Sequence, residues 1–100
     1  MNRNMMRQAQ KLQAELQKVQ EELEKSTVEG SSGGGVVKVV MTGKQTIESI
    51  TIDPEAAEDI ELLQDLVVTA VNDAFNKTQE IAAQKMGAIT GGMNIPGLGF

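Results

Sequence analysis

The sequence predicts an α+β domain: a long N-terminal helix, a small three-stranded antiparallel sheet and a long C-terminal helix. Three observations carry this expectation. Apolar residues recur at helical spacing over residues 5–23 and again over residues 62–86. Between these stretches lie β-branched segments punctuated by Gly, Pro and Asp.

In the first stretch, Met5, Ala9, Leu12, Leu16, Val19 and Leu23 follow one another at intervals of 4, 3, 4, 3 and 4 residues. This heptad seam predicts one amphipathic helix from Met5 to Lys25, a rod of about 30 Å. Gln, Glu and Lys fill most other positions, and all three are good helix formers. The apolar stripe is narrow, which suits one neighbouring helix better than a broad sheet.

Ser26–Glu29 reads as a short strand, and Gly30-Ser31-Ser32-Gly33-Gly34-Gly35 as a flexible connection. Val36–Thr42 is the second strand, Gly43-Lys44 a turn, and Thr46–Ile52 the returning strand. Val37, Val39 and Met41 share one face, as do Ile50 and Ile52. The opposite face is mixed, with Val36 and Val40 flanking Lys38. Asp53-Pro54 combines an N-cap with proline at the first helical position, predicting a short helical turn. A long helix then runs from Asp59 to Met86, its acidic start complementing the macrodipole. Leu62, Leu63, Leu66, Val67, Ala70, Val71, Ala74 and Phe75 give it a wide apolar face. Beyond Phe75 the face narrows to Thr78, Ile81, Ala82 and Met86, as expected where the helix meets only the N-terminal helix. Residues 1–90 are expected to form a single domain, with residues 91–100 as a flexible C-terminal tail.

A core with two Phe, no Trp and no Tyr in 100 residues is thin, so association is expected. The candidate dimer contact comprises Val36, Val40, Leu66 and Ala70, drawn from the mixed sheet face and the wide helical face. The absence of Cys excludes disulfides and thiolate metal sites. The absence of His removes the commonest general base and metal ligand together. Neither an enzyme nor a bound metal, cofactor or small-molecule substrate is therefore expected. Met1-Asn2-Arg3-Asn4 leads into a polar helix and no apolar run approaches a membrane span, so the expected compartment is the cytoplasm, without a membrane partner.

Formal charge is −5 overall but unevenly placed. Residues 1–20 carry Arg3, Arg7, Lys11 and Lys18 against Glu15 alone, whereas residues 53–65 carry six carboxylates and no base. In the heptad frame the cations fall at b, c and f, away from the seam. Arg3, Arg7, Lys11 and Lys18 are thus a candidate phosphate-tracking row, with Gln8, Gln10 and Gln13 available for hydrogen bonds. An ordinary solvated helix face has the same composition. The glycine run is not a phosphate loop, because Val36-Val37 opens a strand where Lys-Ser/Thr and a helix would be needed. The acidic stretch lacks calcium-loop spacing and is read as complementing a helix dipole.

Met6-Arg7-Gln8-Ala9-Gln10-Lys11-Leu12-Gln13 resembles the opening helix of the YbaB/EbfC family of bacterial nucleoid-associated proteins. So does the run from Val28 through the glycines to Val39. Ile50-Thr51-Ile52-Asp53-Pro54, Leu66-Val67, Asn72-Asp73-Ala74, Lys85-Met86, Thr90-Gly91-Gly92-Met93 and Pro96-Gly97 continue the likeness in order along nearly the whole chain. The resemblance implies a tweezer-shaped homodimer that binds double-stranded DNA and associates with the nucleoid, its paired helices forming the projecting arms. The competing expectation is a helical dimeric module that docks other proteins through its acidic flank or arm tips, without direct DNA binding.

Overall fold

A computed structural model describes residues 2–90 of the chain; the expected tail, residues 91–100, lies outside the described residues. The order is α1 (Arg3–Lys25), β1 (Thr27–Ser32), β2 (Val37–Thr42), β3 (Ile47–Ile52), a short 3-10 turn (Pro54–Glu58) and α2 (Ile60–Thr90). The three strands form one antiparallel sheet in the order β1-β2-β3.

The helix starts and the end of α1 have chemical causes. The Asn2 side chain accepts the Met5 N–H at 2.8 Å and so caps α1. At the other end the Ser26 N–H and hydroxyl both donate to the Glu22 carbonyl, and the chain turns into β1. Asp53 accepts the Glu55 N–H at 3.0 Å ahead of Pro54, as the sequence predicts. Asp59 does the same for α2, accepting the Leu62 N–H at 3.2 Å.

Two boundaries differ from expectation. The glycine run is not a loose connection: Gly30, Ser31 and Ser32 complete β1, and Gly33, Gly34 and Gly35 form a defined turn, all three at positive φ. Consecutive residues without Cβ make that turn accessible. The second difference is that α2 continues past Met86 and through Gly87 to Thr90. A glycine in a helix interior costs about 1 kcal/mol. Here Lys85 pairs with Glu22 of α1, and Ala88 and Ile89 line a groove shared with α1.

α2 crosses β1 and β2. Val28, Val37, Val39 and Met41 form the core with Ala70 and Ala74. Leu63, Leu66, Val67, Val71 and Ile81 pack around them, half-buried or at the margin of the core. The closest approach is at Gly30, where a Cβ would collide with the Ala70 carbonyl and the Ala74 backbone nitrogen. Gly30 and the small Ala70–Ala74 pair therefore let helix and sheet meet backbone to backbone.

The two edges of the sheet are treated differently. Along β1 the Ser31 N–H donates to the Asp73 carboxylate at 3.0 Å, and the Lys77 ammonium donates to the Glu29 carbonyl at 2.7 Å. Lys77 and Asp73 also pair at 3.4 Å, one helical turn apart. Side chains of α2 thus seal that edge. β3 receives no such cover, and all six of its residues are exposed. A β-bulge between Val40 and Met41 opposes Met41 with Ile47 while Val39 opposes Ile50 and Val37 opposes Ile52. The extra residue brings three unevenly spaced isoleucines onto the helix-bearing face. They remain 37–44% exposed because α2 does not extend over them.

Both the close crossing and the sealed edge can be tested. Gly30→Val should destabilise the fold by about 1–3 kcal/mol, the usual cost of overpacking, in urea denaturation. The Ser31 N–H and the neighbouring Lys77 hold the Asp73 carboxyl below its ordinary value of 3.8. Its contribution is therefore complete above that value and is lost as pH falls through the depressed folded value. Denaturation midpoints of the native chain and of Asp73→Asn should differ near neutrality and converge as acidification passes below the ordinary carboxylate range.

Candidate nucleic-acid interface

At 100° per residue, Arg3, Arg7, Lys11 and Lys18 fall within about 80° of arc on α1. Lys25, at the heptad position of Lys11 and Lys18, extends the row. The apolar seam lies on the opposite side of the rod. All four candidate cations are exposed. The salt bridges among the described residues use Lys38 with Glu29, Lys77 with Asp73 and Lys85 with Glu22, leaving Arg3, Arg7, Lys11 and Lys18 unpaired.

The row is not electrostatically uniform. Residues 2–14 contain Arg3, Arg7 and Lys11 and no carboxylate, and the first turn of α1 has no acidic residue. The positive end of the helix dipole adds to these charges there. Lys18 and Lys25 instead have Glu21 and Glu22 within three or four residues, which dilutes their field. Positive potential is thus concentrated at the free end of the rod.

That end projects because α1 is held only by its C-terminal half. Val19 and Leu23 are its buried residues, whereas Met5 is 56% exposed and Met6 48%. Lys85 reaches Glu22 at 3.1 Å, and Gly43 packs against the Leu23 backbone, where a Cβ would not fit. The Gly43 N–H also donates to the Ser26 carbonyl at 2.9 Å, tying the β2–β3 turn to the base of the arm. The molecule measures 66 × 25 × 16 Å with a radius of gyration of 18.6 Å, against about 13 Å for a compact chain of this length.

The four residues expected at a dimer contact are not brought together. Val36 and Leu66 line one cavity of about 380 Å³ with Leu62, Ala56 and Gly33. Val40 is on the other face of the sheet, opposite Glu29 on one side and Ser49 on the other, in polar company. Ala70 has to be corrected: it is fully buried beneath Gly30 of its own chain and has no surface to offer a partner. The apolar surface not anticipated from the sequence is Ile47, Ile50 and Ile52 on the open edge strand. The Ile50/Ile52 alternation is visible in the residues and the bulge that adds Ile47 is not, and an isoleucine row reads the same in a central strand as at an edge. On α2, Phe75 and Val68 also stay exposed, on the flank turned away from Asp73 and hence away from the sealed β1 edge.

The acidic residues 53–65 are spread over the 3-10 turn and the start of α2. Among the described residues no three His, Cys, Asp or Glu side chains converge as a metal-binding set. No described helix is long and apolar enough to cross a membrane.

A sheet-and-helix base thus carries a projecting helix with an exposed, unpaired cationic row. The chain belongs to the YbaB/EbfC DNA-binding family, whose model matches residues 1–93. It is 60% identical to a nucleoid-associated protein of Desulforamulus reducens, over 94% of this chain and 91% of that protein. A nucleoid-associated protein of Syntrophobacter fumaroxidans is 54% identical, over 95% of this chain and 88% of that one. The crystal structure of an uncharacterized protein from Helicobacter pylori shares the fold, with a TM-score of 0.75 at 24% identity, covering 90% of this chain and 96% of that one.

Proposed function

We propose that this chain binds double-stranded DNA as a homodimer, with low or modest sequence preference, in association with the nucleoid. Nucleoid organisation and gene expression are the processes such binding would touch. The observation that carries the reading is the unpaired row Arg3, Arg7, Lys11 and Lys18 on a projecting helix, concentrated where no carboxylate opposes it. Family membership and the names of its relatives support the same partner. A row of point charges along a rod follows phosphates and reads no base edges, which accounts for low sequence preference. The net charge of −5 repels the duplex at long range, so affinity depends on this local stripe and falls steeply with salt.

Dimer formation is assigned to the open β3 edge and its isoleucines, with Val36 and Leu66 bordering the contact and Val40 on the reverse of the same sheet. An uncovered edge strand with an apolar face is a template for a second strand. With Ile47, Ile50 and Ile52 in place of Ala70, the contact rests on residues that have surface to bury.

Two measurements check this reading. Arg7→Ala with Lys11→Ala should weaken binding and lower the slope of log affinity against log salt by about one for each phosphate that is no longer neutralised; an unchanged slope places the DNA elsewhere on the molecule. Ile50→Lys should convert a dimeric mass in light scattering to a monomeric one at micromolar concentration, and a dimer that survives it does not use β3.

A further inference from the structure

The surface of α1 changes character along its length. Beyond residue 20 its exposed positions are Glu21, Glu22, Glu24 and Lys25, the charged residues that keep a helix solvated. Before that point glutamine largely takes the place of glutamate. Gln8, Gln10, Gln13, Gln17 and Gln20 are five of the nine glutamines in the chain, and all five are exposed. Glutamine is no better a helix former than glutamate or lysine and adds no charge to the rod. Solvation alone does not call for the exchange.

Helical position orders these residues. At about 100° per residue, Gln10 and Gln17 fall about 20° apart, with Gln13 and Gln20 next to them, beside the row of Arg3, Arg7, Lys11 and Lys18. Over residues 3–20 the cations and this glutamine stripe together occupy about half the circumference of α1, and no carboxylate falls in that half. The one carboxylate of the stretch, Glu15, is on the other half, where it lines the groove shared with Ala88 and Ile89 of α2. Ala14 sits between row and stripe, and its short side chain lets a ligand approach the helix axis closely. Glu21 and Glu24 fall on the same half one turn further along, where they repel phosphate and so end the favourable surface at the base of the arm.

We propose, resting on the DNA-binding reading above, that Gln10 and Gln17 contact adenine edges in the major groove while the cation row holds the phosphates. A helix with its side chains is about 10–12 Å across and the groove about 12 Å wide, so the half of the rod turned away from α2 can enter it. There the Gln Oε1 accepts from the adenine N6 amino group and Nε2 donates to N7. Guanine, which offers two acceptors, does not complete that pair. Gln10 and Gln17 are seven residues apart, about 10 Å along the axis, which matches about three base-pair steps. The stripe is thus the source of a modest preference for adenine–thymine pairs that the cations alone do not supply.

The test titrates the full-length protein against two duplexes of equal length, one of alternating adenine and thymine, the other of alternating guanine and cytosine. The native chain should bind the first about tenfold more tightly. Gln10→Ala with Gln17→Ala, on an exposed helix face that alanine suits, should erase the difference. The slope of log affinity against log salt should stay unchanged, since no charge is removed. Replacing adenine by 7-deazaadenine, which keeps pairing and charge but lacks the N7 acceptor, should weaken the native chain several-fold and leave the double variant unaffected. Equal affinity of the native chain for the two duplexes overturns the adenine contact, as does a preference that survives in the double variant. Either result leaves phosphate binding by the cation row standing. Failure to bind either duplex overturns both.

Discussion

The backbone-to-backbone seating of α2 on β1 sets the rest of the architecture. Because Gly30 has no side chain, Ala70 and Ala74 reach the strand directly, and the helix axis is fixed over β1 and β2. From that seating follow both edges of the sheet. Asp73 and Lys77 come within reach of the β1 backbone, while β3, two strands away, falls beyond the cover of the helix. The direction in which α2 leaves the sheet is fixed at the same place, and with it the line along which α1 can find a partner. A small core without Trp or Tyr thus holds a long object, since it needs only to secure one crossing and let two helices run out from it.

The arm illustrates how a net-negative chain presents positive charge. Carboxylates on α1 begin at Glu15, and those around the start of α2 lie at the sheet end, so the first fourteen residues are left to Arg3, Arg7 and Lys11. Distance does what composition does not. With screening over about 8–10 Å at moderate salt, the acidic segment and the arm tip act as separate electrostatic objects.

Much of the fold is legible in the residues. The 4-3-4-3-4 spacing from Met5 to Leu23 specifies α1, the Val37/Val39/Met41 alternation specifies the buried face of β2, and Asp53-Pro54 specifies the turn that follows β3. What escapes are features decided by tertiary contact. Gly30 resembles its neighbours in a flexible run, yet its role is steric and depends on Ala70 and Ala74 forty residues away. Gly87 resembles a helix end, yet α2 runs through it to Thr90 alongside α1. Likewise the candidate cations can be placed on one side of a helix by counting, but their freedom from ion pairs depends on where Glu22, Glu29 and Asp73 send their carboxylates. Ala70 fails as an interface residue for the same reason: periodicity gives the apolar side of a helix without saying which of its residues the chain has already used.

The unequal treatment of the sheet margins has a consequence for aggregation. A sheet with two receptive sides can add strands without limit, as fibres do. Here one side is chemically occupied by a carboxylate and an ammonium, and only the other can accept a newcomer. Joining through the receptive side consumes it in both molecules, so strand addition terminates itself after a single step.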